Sequence, residues 1–433
     1  MNDEELKNLI IDEIINENYK KCLKLLKKSN LPEKYSYIGE IYYLKEEIEK
    51  SIYYYNKHLS KNPDSESYRI LAGLYMLNKQ YKKALVMINE ILEKFPNETK
   101  TNFSKKLCLM HLGHLYESCK IMYDKGSNIK NVKYENKYFS KKDNDVNLLI
   151  FCELAIGDCV FYLRYLENIK KVTKNITVAC HPKIIPILYL MDNTIKYVDI
   201  NKISDVGFDK VLYAEDLLYF AINGDTENPT PTKFPIKKIR KKCLNKDTLN
   251  IGFGWTTTRS PYNPIALNSS VLEDVKLVKG KSIDIEALKP LFDMPNTQFY
   301  NFQHGHLDHF LEQFIINNDI KNIDVLQHLD KHDDLVSLIE YINSCDLVIT
   351  TSNVLAHFSG LLNKETYLLI PKNIGRLWYW DNKTESNRSI WYPSIKIYEQ
   401  KKQGDWKSCI KQIRRDIMSK YKLKKQFQFF CLN

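Results

Sequence analysis

Paired cysteines, zinc-spaced ligands, phosphate-loop glycines and long apolar runs are all missing from this chain of 433 residues. Its ten cysteines are scattered and none forms a CxxC pair. No histidine cluster has zinc spacing either, so a redox dithiol and a structural metal site are not expected. Several cysteines sit inside apolar runs and read as core, a usage that indicates a reducing compartment. No stretch approaches the roughly 18–20 apolar residues of a membrane span. The opening residues MNDEELKNLI are acidic and lack the basic-then-apolar order of a signal peptide. A soluble, cytoplasmic protein with no transmembrane segment is expected. The glycine pair in IGFGW has the spacing of neither a P-loop nor GxGxxG, so a nucleotide site here would be of another kind.

The length allows two or three domains. The net charge of +11 is read as spread along the chain, with one dense basic run at Lys237–Lys242. No nucleic-acid motif accompanies that run. A solvated linker is the expected reading, with attraction to an anionic substrate or membrane surface as the lesser one. Nucleic acid is not expected as a partner.

Up to about Asp124 the apolar periodicity is helical. Tyr35, Ile38, Gly39, Tyr42, Ser51 and Pro63 recur 33 residues later as Tyr68, Leu71, Ala72, Tyr75, Ala84 and Pro96. Small residues let two helices approach, tyrosines fill the space between pairs, and proline ends the second helix. This pattern resembles the tetratricopeptide repeat, with residues 3–28 and 99–124 as degenerate flanking units. A generic helical bundle is the alternative.

After a polar stretch, Gly126–Asp145, the grammar changes. Strands are expected at Leu148–Cys152, Ile176–Cys180, Lys210–Tyr213, Leu249–Trp255, Gln298–Phe302, Asp346–Thr350 and Thr366–Ile370, alternating with helices. Such alternation implies parallel sheets covered on both faces. The expected domains are helical repeats at 1–125, a linker at 126–145, and α/β domains at 146–245 and 246–433, divided by the break near Phe234–Asp247.

Four segments carry candidate chemistry. ELAIGD (153–158) follows a strand, and Asp158 opens a helix. It is equally readable as a helix cap or as a carboxylate placed to deprotonate a hydroxyl. IGFGWTTTRSP (251–261), with Lys281 after it, presents N–H and O–H groups to phosphate, and Arg259 and Lys281 are cations for a departing diphosphate. SCDLVITTSNVLAHFSGLLNKETYLLIP (344–371) is a βαβ unit whose turn and helix start, with Thr351, Ser352, Asn353 and His357, lie at the sheet edge where anions bind. Residues 376–406 hold four of the five tryptophans. These either stack on a sugar or base at a cleft rim or pin the C-terminal crossover helix to the first α/β domain.

In order, ELAIGDCVFYLRYL, IGFGW, KSIDIEALKPLF with FYNFQHG, the 344–371 segment and WYPSIKIYEQKKQGDW resemble the family 9 glycosyltransferases. These are the ADP-heptose:lipopolysaccharide heptosyltransferase relatives, and the chain looks most like their bacterial subgroup with N-terminal tetratricopeptide repeats. The layout is also similar to protein O-GlcNAc transferases, with a shorter array. The resemblance covers roughly 145–415. It implies an α plus α/β chain: helical repeats followed by a GT-B fold of two Rossmann-like domains, with an acceptor domain first and a nucleotide-sugar donor domain second. It implies metal-independent, inverting transfer with no cofactor. By position Asp158 matches the family's catalytic base and His357 the histidine of its donor loop. The donor-binding set becomes Gly254, Trp255, Thr256, Lys281, Gln303, Thr351, Ser352, Asn353 and His357, with no metal ligand. Ser352 and Asn353 stand where the family has Asp and Thr, and Lys281 where it commonly has Arg. Lysine there keeps the charge without bidentate geometry.

The expected activity is sugar transfer from a nucleotide-sugar donor to a hydroxyl of a glycan, lipid-linked or protein acceptor, with a further protein partner on the repeats. The rival class is an inactive transferase fold serving as a scaffold, favoured by the loss of an acidic residue at Ser352.

Overall fold

A computed structural model describes residues 2–94, 99–124, 137–173, 175–204, 206–222, 236, 239–257, 281–304 and 307–423. It divides into two compact units, one formed by 1–114 and one beginning at Leu115.

The first unit is a run of helices: α1 (Asp3–Ile15), α2 (Tyr19–Lys28), α3 (Lys34–Leu44), α4 (Ile48–Leu59), α5 (Ser65–Leu77), α6 (Tyr81–Lys94) and α7 (Thr99–Leu112). The 33-residue repeat falls on α3–α4 and α5–α6. Gly39 is required because a Cβ there would lie 2.6 Å from the Tyr55 ring. Ser51 fixes the same crossing by donating its hydroxyl to the Gly39 carbonyl at 2.7 Å. Ala72 and Ala84, at the matching positions, are buried. Glu17, Glu46 and Lys79 take positive φ of 58°, 61° and 58° where the first helix of each pair ends, so one left-handed residue reverses the chain in each hairpin. Asp64, just after Pro63, caps α5 through the Ser67 N–H, an interaction contributing about 1 kcal/mol. The helices are those of tetratricopeptide-like hairpins.

The second unit opens with α8 (Leu115–Asp124) and then carries two parallel sheets. The first has the order β3-β2-β1-β4, formed by β1 (Leu148–Cys152), β2 (Ile176–Cys180), β3 (Lys196–Asp199) and β4 (Lys210–Tyr213). Leu148 is in register with Ile176 on one side and Lys210 on the other. Every residue of β1 is buried, which is why LLIFC reads as an unbroken apolar run rather than an alternation. Helices α9 (Ile156–Leu163), α10 (Leu166–Lys170), α11 (Ile185–Met191) and α12 (Leu217–Ala221) make the connections.

The second sheet has the order β10-β9-β8-β5-β6-β7, all parallel. Its strands are β5 (Leu249–Gly254), β6 (Thr297–Asn301), β7 (Ile323–Asp324), β8 (Leu347–Thr351), β9 (Thr366–Ile370) and β10 (Ile395–Glu399). The helices are α13 (Ile285–Phe292), α14 (Asp308–Asn317), α15 (Leu335–Ser344), α16 (Val354–Leu361) and α17 (Trp406–Lys420). Ile251, Phe253, Phe299, Ile349 and Leu369 build the core under α13 and α17. Gly252 cannot carry a side chain, since its Cβ would lie 2.0 Å from the Phe302 ring. Two Rossmann-like sheets in one unit, facing each other across a cleft, constitute a GT-B fold.

The seven expected strands are all present, with ends shifted by at most one residue. Strands β3, β7 and β10 were not expected: β3 and β7 are short, and β10 alternates lysine with apolar residues. The Lys237–Lys242 run is only partly within the described residues. Lys242 itself pairs with Glu340 at 2.7 Å.

The Gly39 contact sets a test of the repeat unit. Gly39→Leu should destabilise the chain by about 1–3 kcal/mol through overpacking against Tyr55, read as a lower midpoint in urea unfolding followed by circular dichroism. An unchanged midpoint would refute the close crossing.

Candidate active site

The carboxyl ends of both sheets open onto one cleft of about 480 Å³. From the first domain, β1 ends at Cys152 and α9 begins at Ile156, which puts Asp158 in the first turn facing the cleft. From the second, β8 delivers Ser352, and α16 delivers His357 one turn later. Lys281 lines the same space.

The two helices meet at Gly157. A Cβ there would lie 2.8 Å from His357 Cδ2 and 3.3 Å from its Nε2. Glycine before Asp158 therefore lets the imidazole of one domain pass against the backbone of the other. Arg164, at the end of α9, reaches into the second domain. It donates to the Trp391 carbonyl and the Tyr165 hydroxyl, both at 2.9 Å, and its guanidinium lies 4.7 Å from the centre of the Tyr392 ring. Phe161 packs edge-on to Trp378 and Trp391 and stacks on Tyr379. Trp378, Trp380 and Trp391 are buried. Neither reading holds as stated: the segment itself packs on Phe161 of α9, whereas α17 buries Trp406 and its apolar face in the core of its own domain, and Tyr379 of this segment lines the cleft.

Burial pulls the charged groups in opposite directions. The Asp158 carboxyl is pushed up to about 6 by burial and by Glu215, with Lys281 and the Tyr379 hydroxyl, 3.5 Å away, opposing. The Lys281 ammonium is brought down to about 7 by burial, against the pull of Asp158. Burial, reinforced by Arg164, lowers the His357 imidazole to about 3, so it is neutral at physiological pH. Its Nδ1 sits 3.0 Å from the Tyr392 hydroxyl, and its Nε2 faces Gly157. Glu215, just after β4, went unnoticed in the sequence because nothing local marks it.

The expected donor set divides in two. Lys281, Ser352, Asn353 and His357 line the cleft with Asp158. Gly254, Trp255, Thr256, Gln303 and Thr351 do not, and each has a structural reason. Gly254 makes room for Leu355. Trp255 is buried and stacked on Phe253. Gln303 accepts from the Trp255 and Thr256 N–H groups at 3.0 and 2.9 Å, and the Thr256 hydroxyl bonds Ser282. Thr351 is fully buried, and its hydroxyl has no hydrogen-bond partner. These five form the wall behind the cleft, and Thr257 takes the lining position expected of Thr256. Arg259 lies outside the described residues.

Asn353 is more occupied than expected. Its Oδ1 accepts from Leu355 N–H and the Thr350 hydroxyl, both at 3.0 Å, and its Nδ2 donates to the Thr256 carbonyl. Ser352 accepts from Trp380 Nε1 at 2.8 Å. The cleft also holds His181, Lys183, His304, Lys331 and His332, none of them anticipated. They come from three separate loops, after β2, β6 and β7, so no sequence window shows them together. Lys331 is buried against Asp308 at 2.7 Å, and Lys183 of the first domain pairs with Asp333 of the second. Among the described residues no group of His, Cys, Asp or Glu is arranged to hold a metal ion.

No family model matches the chain, and no curated protein sequence matches it. Among solved structures it is similar to the E. coli heptosyltransferase WaaC with ADP: 10% identity over 63% of this chain and 98% of that one, TM-score 0.39. A family 9 glycosyl transferase from Veillonella parvula gives 13% identity over 66% and 92%, TM-score 0.38. An O-GlcNAc transferase mutant from Thermobaculum terrenum gives 10% identity over 98% and 92%, TM-score 0.30. At such identities and scores these likenesses carry no weight for function. The chain's own strand order and register establish the fold: helical repeats, then GT-B.

Burial keeps the Tyr392 hydroxyl protonated; with that hydroxyl as donor to Nδ1, the His357 proton lies on Nε2. Tyr392→Phe should shift that tautomer toward Nδ1–H, read by nitrogen-15 NMR of labelled histidine. An unchanged Nε2–H signal would show that Tyr392 does not set it.

Proposed function

We propose that the chain is an inverting glycosyltransferase using a nucleotide-sugar donor. The observation that carries this reading is the placement of Asp158, Lys281 and His357 around one cleft between two α/β domains. An acceptor hydroxyl enters beside Asp158, whose carboxylate takes its proton as the oxygen attacks the anomeric carbon. The bond from that carbon to the donor's diphosphate breaks, and its electron pair leaves on the phosphate oxygen. Lys281 balances the charge that develops there, and the neutral His357 donates from Nε2. Attack opposite the leaving group inverts the anomeric centre. The acceptor is a glycan, lipid-linked or protein hydroxyl, and the repeats present or recruit it through an exposed face. Among the described residues no helix is long and apolar enough to cross a membrane.

The scaffold reading draws on one observation: Ser352 and Asn353 spend their polar atoms on Trp380, Leu355, Thr350 and Thr256. It predicts no thermal shift with any nucleotide sugar, whereas a bound donor raises the melting temperature by mass action.

Asp158→Asn separates the two. Transfer should fall by roughly 10²–10⁴-fold while donor binding persists. A carboxyl pKa raised in the folded state costs stability above about pH 6, a cost relieved as pH falls toward the unfolded value. The variant's melting temperature at neutral pH should therefore hold or rise. Full activity in Asp158→Asn would remove that residue from the mechanism.

Transfer needs Asp158 ionised and Lys281 protonated. The rate should therefore rise with pH through about 6 and fall above about 7. Lys281→Arg keeps its proton throughout and should remove the alkaline fall. An alkaline limb unchanged in that variant would assign it to another group.

A further inference from the structure

Among the described residues that line the cleft, Asp158 is the only carboxylate, against three lysines and four histidines. Lys281 and His357 stand with Asp158 at the position of the donor diphosphate. Four of the remaining basic groups gather at the other end. Lys183 follows β2 in the first α/β domain, His304 follows β6, and Lys331 and His332 follow β7. In the order β8-β5-β6-β7, β7 lies two strands beyond β5, about 10 Å at the usual strand spacing. A diphosphate held by the loops after β5 and β8 does not reach across that interval.

The four groups crowd one another. Lys183 Nζ lies 2.7 Å from His332 Nδ1, and the rings of His304 and His332 are 6.4 Å apart. Burial, with His332 and Lys183 beside it, holds the His304 imidazole below its ordinary value, a strain that an anion among them would relieve. Lys331 is buried and bonds both oxygens of Asp308, at 2.9 and 2.7 Å, which leaves one of its three N–H groups for a ligand. Asp308 is fixed in turn by the Asn301 amide at 2.8 Å. Lys183 pairs with Asp333. Neither Asp308 nor Asp333 lines the cleft, so the basic groups meet it and their carboxylate partners do not. His181 is spent on the turn itself, accepting from the Lys183 N–H at 3.2 Å.

We propose that Lys183, His304, Lys331 and His332 form a second anion subsite, which holds a phosphate group carried by the acceptor. Among the described residues no arginine lines the cleft, so the planar fork that matches a carboxylate is missing. Point donors converging from three loops suit a tetrahedral phosphate instead. A nucleoside diphosphate sugar spends its charge on the diphosphate at Lys281 and brings none to this end. Lys183 stands on the domain opposite the donor loops, where a group that reads the acceptor belongs. The assignment to the acceptor rests on the sugar-transfer reading, whereas the phosphate subsite does not.

The test is isothermal titration calorimetry of the full chain with glycerol phosphate, and with glycerol as the control. Glycerol phosphate should bind and glycerol should not. Lys183→Met should weaken binding by about 10- to 100-fold, the effect of one charge-assisted hydrogen bond, with an unchanged circular dichroism spectrum. His304→Ala should weaken it in the same direction, and Lys281→Met should cost less than Lys183→Met. No binding to the native chain, an unchanged Kd in Lys183→Met, or a larger loss in Lys281→Met would each overturn the proposal, the last by moving the phosphate to the diphosphate position. Calorimetry needs no turnover, so a chain that binds glycerol phosphate but transfers no sugar would keep the subsite and refute the transfer reading alone.

Discussion

The second unit depends on how closely α9 and α16 approach. Gly157 leaves space for the His357 ring, and Arg164 locks the approach from about two helical turns further on by bonding the Trp391 carbonyl. A side chain at 157 or a shorter residue at 164 would move the two sheets relative to each other. Every other feature of the cleft follows from that contact: the facing carboxyl edges, the aromatic cluster that keeps water away, and the position of Asp158 one residue beyond the glycine.

Desolvation then sets the chemistry. One cleft pushes a carboxyl up and an ammonium down until the two lie near each other around neutrality, where proton transfer is most easily driven in either direction. The imidazole is held neutral by the same burial, so in the proposed transfer it would contribute a directed hydrogen bond rather than a charge. Trp380 donates to the Ser352 hydroxyl.

Much of the fold was legible because local signals agreed. The 33-residue recurrence of small and aromatic residues marked the hairpins, and unbroken apolar runs such as LLIFC marked buried parallel strands. That Asp158, Ser352 and His357 line the cleft was legible because they lie on the turns and first helical turns that follow β1 and β8. The errors have physical causes. Gly254, Trp255, Thr256, Gln303 and Thr351 share the same loops as the lining residues, and sequence spacing does not tell which side of a loop faces the cleft. His181, Lys183, His304, Lys331 and His332 are brought together by three connections that only the sheet order aligns. The tryptophan segment was open to two readings, and the structure gives a third, in which the segment itself and not α17 packs against α9.

The central claim, that Asp158 and Lys281 share one desolvated cleft, is most directly tested by titrating the Asp158 carboxyl by carbon-13 NMR, assigned through Asp158→Asn. The carboxyl should titrate near 6 in the native chain and higher in Lys281→Met, where the opposing cation is gone. A midpoint near the ordinary aspartate value of about 3.9, unmoved by the loss of Lys281, would contradict it.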